Sequence, residues 1–337
     1  MGKRAESVVV TGGAGFIGSE LTRQLLASGA HVTVVDNLVN GKRENLANIE
    51  SDLLRLEVVD IRDTDTMRSL LRGADKVFHL ACMGVRHSIH NPAENHDVNA
   101  SATLGLLQLA KSANVKRFIY VSSSEVYGTT RFAPMTEEHT TFPMTVYGAS
   151  KLAGECYARA FFETYDFPTV VVRPFNSFGP RCHHEGDSGE VIPKFMLRAL
   201  AGKPLIVFGD GSQTRDFTFV TDTARGIVLA GETDKAVGQT INLGSGIETS
   251  IKDLADEVKR TVNRQDAEVQ FHAPRPGDIL RLIADSSKAS DLLNYAPAME
   301  LRDGLVLLRD WYQQQESSVE ELLKEEVVHN WTHSVPE

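Results

Sequence analysis

The chain has 337 residues, 42% of them hydrophobic, and a net charge of −10. This excludes an intrinsically disordered chain and argues against a nucleic-acid footprint. No run approaches the ~18 apolar residues of a membrane span, so no membrane partner is expected.

Three cysteines, Cys82, Cys156 and Cys182, make an odd number with no metal-type spacing. They suggest reduced thiols in a cytoplasmic protein. Met1 to Ser7 is short, polar and leads straight into a strand, so no signal peptide is read there.

Ser7 to Thr11 is a β-branched run that predicts a buried strand. Glycines 12, 15 and 18 follow it, and a helix is expected over Ser19 to Ser28. Glycines at that spacing allow a tight turn, close approach of backbone to a pyrophosphate and close helix–strand packing. The helix N-terminus then offers free N–H groups to phosphate. His31 to Val35 reads as the second strand and ends at Asp36, where an acid should receive adenosine ribose hydroxyls. A carboxylate there repels a 2′-phosphate, which favours NAD over NADP. Asn37, Asn40 and Gly41 form the loop beyond.

The alternation continues with strands at Leu56–Val59, ending at Asp60 and Ile61, at Lys76–Leu80, followed by Ala81, and at Arg117–Val121, ending in Ser122, Ser123, Ser124 and Glu125. Helices are expected at Thr64–Leu71 and Asn99–Ala113. Such alternation predicts an α/β fold, a Rossmann-type doubly wound parallel sheet with ligands beyond the strands' carboxyl ends. A helix from Tyr147 to about Tyr165 and a strand at Pro168–Arg173 complete an expected dinucleotide-binding domain, residues 1–175, with elements returning at about 205–245.

Residues 176–315 read as a smaller, interleaved C-terminal substrate lobe. It holds a helix at Val191–Ala201, strands at Leu205–Phe208, Asp216–Val220, Thr240–Leu243 and Glu268–His272, and helices near Thr221–Gly231 and Ile251–Asn263. Residues 316–337 carry Val319, Leu322, Leu323 and Val327 at roughly helical spacing, which predicts a docked helical tail.

Tyr147 and Lys151 lie four residues apart, hence on one helical face. An ammonium near a phenol favours the phenolate, so the spacing predicts a phenol pulled from about 10 towards neutrality. Such a tyrosine can take a proton from a sugar hydroxyl while a hydride leaves the same carbon. The same spacing also occurs on ordinary solvated helices.

Thr11 to Gly18, Asp36-Asn37, Asp60-Ile61, the serines before Val126-Tyr127-Gly128, and Tyr147-x-x-x-Lys151 together resemble the extended short-chain dehydrogenase/reductase family, nucleotide-sugar epimerase and dehydratase group. Arg173-Pro174-Phe175-Asn176, Gly179-Pro180-Arg181, the run from Gly209 to Phe217 and Arg275-Pro276-Gly277-Asp278 extend the likeness over about Ser7 to Trp311.

The resemblance implies NAD held by Gly12, Gly15, Phe16, Ile17, Gly18, Asp36, Asn37, Asn40, Gly41, Asp60, Ile61, Leu80, Ala81, Asn99, Ser122, Tyr147, Lys151 and Pro174. It implies Tyr147 as acid/base at sugar C4, Lys151 as its partner and nicotinamide-ribose contact, and Ser123 in the same proton network. A nucleotide-sugar, with a UDP-sugar favoured, would meet Ser123, Ser124, Tyr147, Asn176, Val191, Phe208 at the base, Arg215 and Arg275 at the diphosphate, and Asp278 at the ribose. Two guanidiniums suit a diphosphate. A homodimer through the helices beginning near Asn99 and Tyr147 is also implied.

The shared opening step is oxidation at C4 to a 4-keto sugar. Return of hydride to the other face gives a 4-epimer, a UDP-hexose or hexuronate being the first expectation. Loss of the C5 proton leads instead to dehydration, and a C6 carboxylate can leave as carbon dioxide. Glu125 is a candidate base for C5, or a partly buried acid bonded to backbone. Ser124 stands where dehydratases usually carry Asp. Val191 to Phe195 resembles the UDP-hexose and hexosamine 4-epimerases, in which Leu282 would gate the 2-substituent and favour a plain 2-hydroxy sugar. Arg86, His87 and the His183-His184-Glu185 loop could meet a uronate carboxylate or be solvated. No metal is expected there, because adjacent histidines point apart in an extended loop. Cys82 and Cys156 are expected in the core.

Overall fold

The computed structural model describes residues 5–186, 188–274, 279–329 and 331. Arg275 and Asp278, expected at the substrate, lie outside the described residues. Among the described residues the strands are β1 (Ser7–Thr11), β2 (His31–Asp36), β3 (Leu54–Val58), β4 (Lys76–His79), β5 (Arg117–Val121), β6 (Thr169–Pro174), β7 (Asn176–Phe178), β8 (Leu205–Phe208), β9 (Thr214–Phe219), β10 (Thr240–Leu243), β11 (Glu248–Ser250) and β12 (Val269–His272).

Seven of them form one sheet in the order β10-β6-β5-β4-β1-β2-β3, every pair parallel. Side chains alternate across a strand, and in β1 both faces are apolar. Val8 and Val10 pack with Leu21, Leu25 and Ile227 under the helices Phe16–Ala27 and Val220–Glu232. Val9 faces the opposite way, with Val77, Leu107, Phe118 and Val171 under the helices Ala102–Ser112 and Val146–Tyr165. Covering helices on both faces satisfy a sheet that is buried on both sides. The chain's direction of winding reverses between β1 and β4, and a crevice opens there beyond the strand ends.

A second core lies outside this sheet. A three-stranded sheet, β11-β9-β7, and the parallel pair β8–β12 pack with the helices Val191–Leu200, Ile251–Thr261 and Leu301–Gln313. Phe195, Leu205, Leu254, Val258, Leu305, Leu308 and Tyr312 fill the space between them. The tail docks here through Leu323, on a short helix, Val319–Lys324, closed by a reciprocal capping box between Ser318 and Glu321.

The residues 205–245 do not return to the large sheet as a block. β8 and β9 pair outside it, and only the helix Val220–Glu232 and β10 come back. The helix expected from Asn99 begins upstream, at Pro92, where Asn91 caps the Glu94 N–H. It passes through one wide turn, Asp97–Ser101, before continuing as Ala102–Ser112. Cys156 is exposed rather than in the core, while Cys82 is half-buried and Cys182 buried, all as free thiols. No helix of the described residues is long and apolar enough to cross a membrane.

Candidate active site

A single cleft of about 1030 Å³ runs from the glycine loop past the ends of β4 and β5 to β8 and β9. At one end Gly12 adopts φ +71°, and an added Cβ would lie 2.6 Å from the Ala81 nitrogen. At Gly18 a Cβ would lie 2.0 Å from the Gly12 carbonyl oxygen. At Gly15 the nearest atom would be 3.2 Å away, so this position leaves room above the helix N-terminus.

Asp36 is buried and accepts the N–H groups of Ala14 (3.0 Å) and Leu38 (2.9 Å). Burial raises its pKa and those two bonds pull it back. Its remaining lone pairs can accept two hydroxyls. Gly41 must be glycine for the loop to close over it, since a Cβ would sit 2.6 Å from the carboxylate. Asp60 is held by Arg62 and by the Asn37 amide at 3.0 Å, and the Arg62 hydrogen bonds bring it down to about 2. Ser122 Oγ lines the same cleft, buried and without a partner among the described residues. A glycine cradle, an acid at a strand end and an orphaned hydroxyl fit a dinucleotide.

Leu80, Ala81, Asn40, Ile61 and Pro174 line the cleft with them, but Asn99 does not. The wide turn rotates Asn99 beneath the wall, where its amide donates to the Met83 carbonyl (2.9 Å) and accepts the Met83 N–H (2.8 Å). Asn99 therefore braces the loop after β4 from behind the cleft wall.

The residues expected to carry the chemistry, Ser123, Tyr147 and Lys151, lie in the middle of this cleft. Thr145 caps the helix Val146–Tyr165 by accepting the Gly148 N–H at 3.0 Å, which puts Tyr147 in the first turn. Gly148 lets the turn after β5 approach, because a Cβ there would meet the Glu125 carbonyl at 2.8 Å. Ser123 lies close enough to Tyr147 to lower its pKa, and both line the cleft with Ser124, Glu125 and Lys151.

The expected pull of Lys151 on the phenol is not what governs this structure. Burial drives the Tyr147 pKa well above its ordinary value, the nearby carboxylates of Glu125 and Glu190 add to it, and Ser123 opposes. Lys151 instead donates to the Val121 carbonyl at 2.6 Å and lies 4.7 Å over the Tyr120 ring. Burial lowers its own pKa. Without ligands, Tyr147 is a phenol.

Beneath this centre Arg173, 1% exposed, forks onto Glu155 at 2.8 and 2.6 Å and donates to Tyr127 at 2.8 Å. Tyr127 in turn donates to Asn242 at 2.7 Å, and burial pushes it up to about 12. It packs with Val126, Met135 and Phe175. Asp216, on β9, ties two further segments to its strand by accepting from Ser245 and Gly246 and from Ala284.

The other end of the cleft carries Asn176, Val191, Phe208 and Arg215. Arg215 is held by the carbonyls of Thr214 (2.8 Å) and Ile279 (2.7 Å). Leu282, expected to gate the sugar, is not on the wall. It is 1% exposed, packed with Val126, Tyr127, Met135 and Phe175.

His183 and His184 do not point apart. Both reach Glu185, at 3.1 and 3.3 Å, and Glu185 bonds Lys42 at 2.8 Å across the cleft. Arg181 pairs with Glu20, on the helix Phe16–Ala27, at 2.9 Å.

Glu190 was missed by the sequence reading. It stands exposed at the mouth of the cleft immediately before the helix Val191–Leu200, and the protein flanking it there raises its carboxyl towards about 7 against the pull of His183 and Arg86. An acid one residue ahead of a cleft-lining helix start was the available signal.

A Rossmann sheet with a Ser–Tyr–Lys centre at its strand ends defines an enzyme class that works on a ligand laid against a dinucleotide. Residues 9–307 match the family model described as GDP-mannose 4,6 dehydratase. The UDP-glucose 4-epimerase of Mycolicibacterium smegmatis is 38% identical over 301 residues, covering 88% of this chain and 95% of that one. The UDP-glucuronic acid decarboxylase 1 of Arabidopsis thaliana is 34% identical over 311 residues, covering 90% of this chain and 69% of that one. The crystal structure of UDP-glucuronic acid 4-epimerase from Bacillus cereus, in complex with UDP-glucuronic acid and NAD, superposes with a TM-score of 0.85 at 34% identity, covering 91% of this chain and 99% of that one. The chain belongs to this family, the extended short-chain dehydrogenases/reductases of the nucleotide-sugar epimerase and dehydratase group.

Proposed function

We propose that the chain is an NAD-dependent UDP-sugar 4-epimerase. The observation that carries this is Ser123, Tyr147 and Lys151 together on one wall, set between the glycine cradle and an Arg215-bearing wall in one continuous cleft. NAD would lie along Gly12, Gly15 and Gly18, with Asp36 at the adenosine ribose and Lys151 at the other ribose. The Arg62 charge is taken up by Asp60, which leaves Asp36 to disfavour a 2′-phosphate. Bound NAD would supply the hydride acceptor for sugar C4 and a positive ring that favours the Tyr147 phenolate.

Tyr147 takes the C4 hydroxyl proton, through or beside Ser123, as the C4–H bond breaks, and C4 becomes a ketone. Arg215 holds the diphosphate while the sugar turns over. Hydride returns to the opposite face and Tyr147 gives its proton back to the oxygen. No net oxidation remains.

A second reading, dehydration or decarboxylation, is favoured by Glu125, whose charge acts on Tyr147. Against classical dehydration, Ser124 gives Glu125 no acidic neighbour to protonate a departing C6 hydroxyl; decarboxylation needs none. Incubation with UDP-glucose, UDP-N-acetylglucosamine, UDP-glucuronate and dTDP-glucose separates the two by product mass. An unchanged mass with a new C4 isomer is expected; loss of water or carbon dioxide would overturn the epimerase. Tyr147→Phe should lower turnover by about 10²–10⁴-fold with NAD binding kept, and full activity in that variant would sink the shared mechanism. Glu125→Gln should spare epimerisation.

We further propose a homodimer through the helices Ala102–Ser112 and Val146–Tyr165, which sedimentation as a monomer would refute. A cytoplasmic location is inferred from the three free thiols, and fractionation into an oxidising compartment would contradict it. The division at about residue 175 into a cofactor domain and a substrate lobe is likewise proposed, with Val220–Leu243 assigned to the first.

A further inference from the structure

Residues after Gln313 lie beyond the span that matches the family, 9–307, yet they reach the cleft. The tail is fastened at three points. The Gly186 N–H donates to the Glu325 carbonyl at 2.9 Å. Arg198 forks onto the buried Glu326 carboxylate, with both contacts at 2.9 Å. Lys194 Nζ donates to the Val327 carbonyl at 2.8 Å. This strap brings two aromatic rings to the end of β8. Trp331 stands perpendicular to Phe208 with ring centres 4.5 Å apart, and His329 lies 5.7 Å from Phe208 and stacks on His272 at 5.8 Å. Trp331 and Phe208 line the same cleft as Gln213 and Arg215.

We propose that the C-terminal strap is part of the substrate site and that Trp331, backed by His329, is the outer wall of the subsite for the nucleotide's base. The inference rests on the nucleotide-sugar reading and adds a residue that the family match does not contain. Arg215, presented by two carbonyls, marks where an anionic diphosphate is held. Beside it the wall turns uncharged and aromatic, which suits a flat heterocycle. Two perpendicular rings make a corner in which a base meets one ring by its face and the other by its edge. Gln213 adds a polar handle. Its Nε2 is fixed on the Phe208 carbonyl at 2.7 Å, which leaves Oε1 to accept a base N–H. Trp331 and Phe208 are already in ring contact, so the corner is formed before the ligand arrives.

The test is calorimetric titration of the full chain and its Trp331→Ala variant with UDP, with NAD as the control ligand. Trp331→Ala should bind UDP about tenfold more weakly, on the scale of one lost base–aromatic contact. KM for the UDP-sugar should rise by the same factor, with kcat and NAD affinity unchanged. Trp331→Phe should restore most of the affinity. Equal UDP affinity in Trp331→Ala overturns the proposal. So does tighter binding, which would make the strap an obstacle in the subsite. If the unaltered chain binds no UDP, the nucleotide-sugar reading itself falls, a result distinct from either.

Discussion

The two walls of the cleft are built by different means. The wall below the cofactor is made of strand ends in one parallel sheet, β1, β2, β4, β5 and β6, locked by ladder hydrogen bonds and an apolar core. The wall facing the substrate is made of short strands, the residues 179–190, and a tail fastened by single ion pairs and hydrogen bonds. A parallel sheet fixes its strand ends by packing that a single contact cannot undo. Fastened loops give a wall whose shape depends on each tie. Breaking a buried tie of the first wall should be an all-or-none loss, whereas the second should respond by degrees.

Glu155→Gln gives the largest expected effect. It leaves the Arg173 guanidinium, 1% exposed, without a counter-ion in the network that supports the reacting centre. Breaking one partner of such a pair should cost about 3–5 kcal/mol, read as a lower urea midpoint with an unchanged slope. The matching break across the cleft is Lys42→Ala, which removes a pair whose lysine is 45% exposed. It should change stability by about 1 kcal/mol or less. Equal losses in both variants would erase the distinction between the walls.

Gly18→Ala comes next. A Cβ 2.0 Å from the Gly12 carbonyl must move the helix Phe16–Ala27 away from the loop. NAD affinity should fall about 100-fold, or ~2.7 kcal/mol, while circular dichroism still shows a folded chain. Unchanged NAD affinity would mean that the cradle does not hold the pyrophosphate.

The same contrast governs what could be read from the sequence. The large sheet, the three glycines and Asp36 follow from apolar runs and turn chemistry within a few residues, so they were legible. Asn99 was not, because the wide turn at Asp97–Ser101 shifts which face each later residue presents. Leu282 was placed by spacing from a motif, and spacing says nothing about which way an irregular segment faces. The direction of the Tyr147 shift was misjudged because the pair with Lys151 was weighed and the enclosure was not. Glu190 and the strap belong to contacts between segments far apart in the chain, such as Arg198 with Glu326, for which no local pattern exists.

Glu190 offers the smallest and most specific test. Its carboxyl is pushed up to about 7, so it is neutral below that pH and charged above it. The charged form adds to the fields that keep Tyr147 protonated, and it repels an anionic sugar. In the unaltered enzyme, kcat/KM for UDP-glucuronate relative to UDP-glucose should therefore rise as pH falls through 7, by about fivefold for a partly screened charge. Glu190→Gln should hold that ratio flat. The folded pKa lies above the ordinary carboxylate value of about 4.3, so the folded state binds the extra proton. Its stabilising contribution is complete below that value and disappears as pH rises through about 7. Glu190→Gln should abolish this slope as well. If the substrate ratio keeps its pH dependence in the variant, the charge that selects the sugar lies elsewhere on the wall, with His183 and Arg86 as the groups to examine.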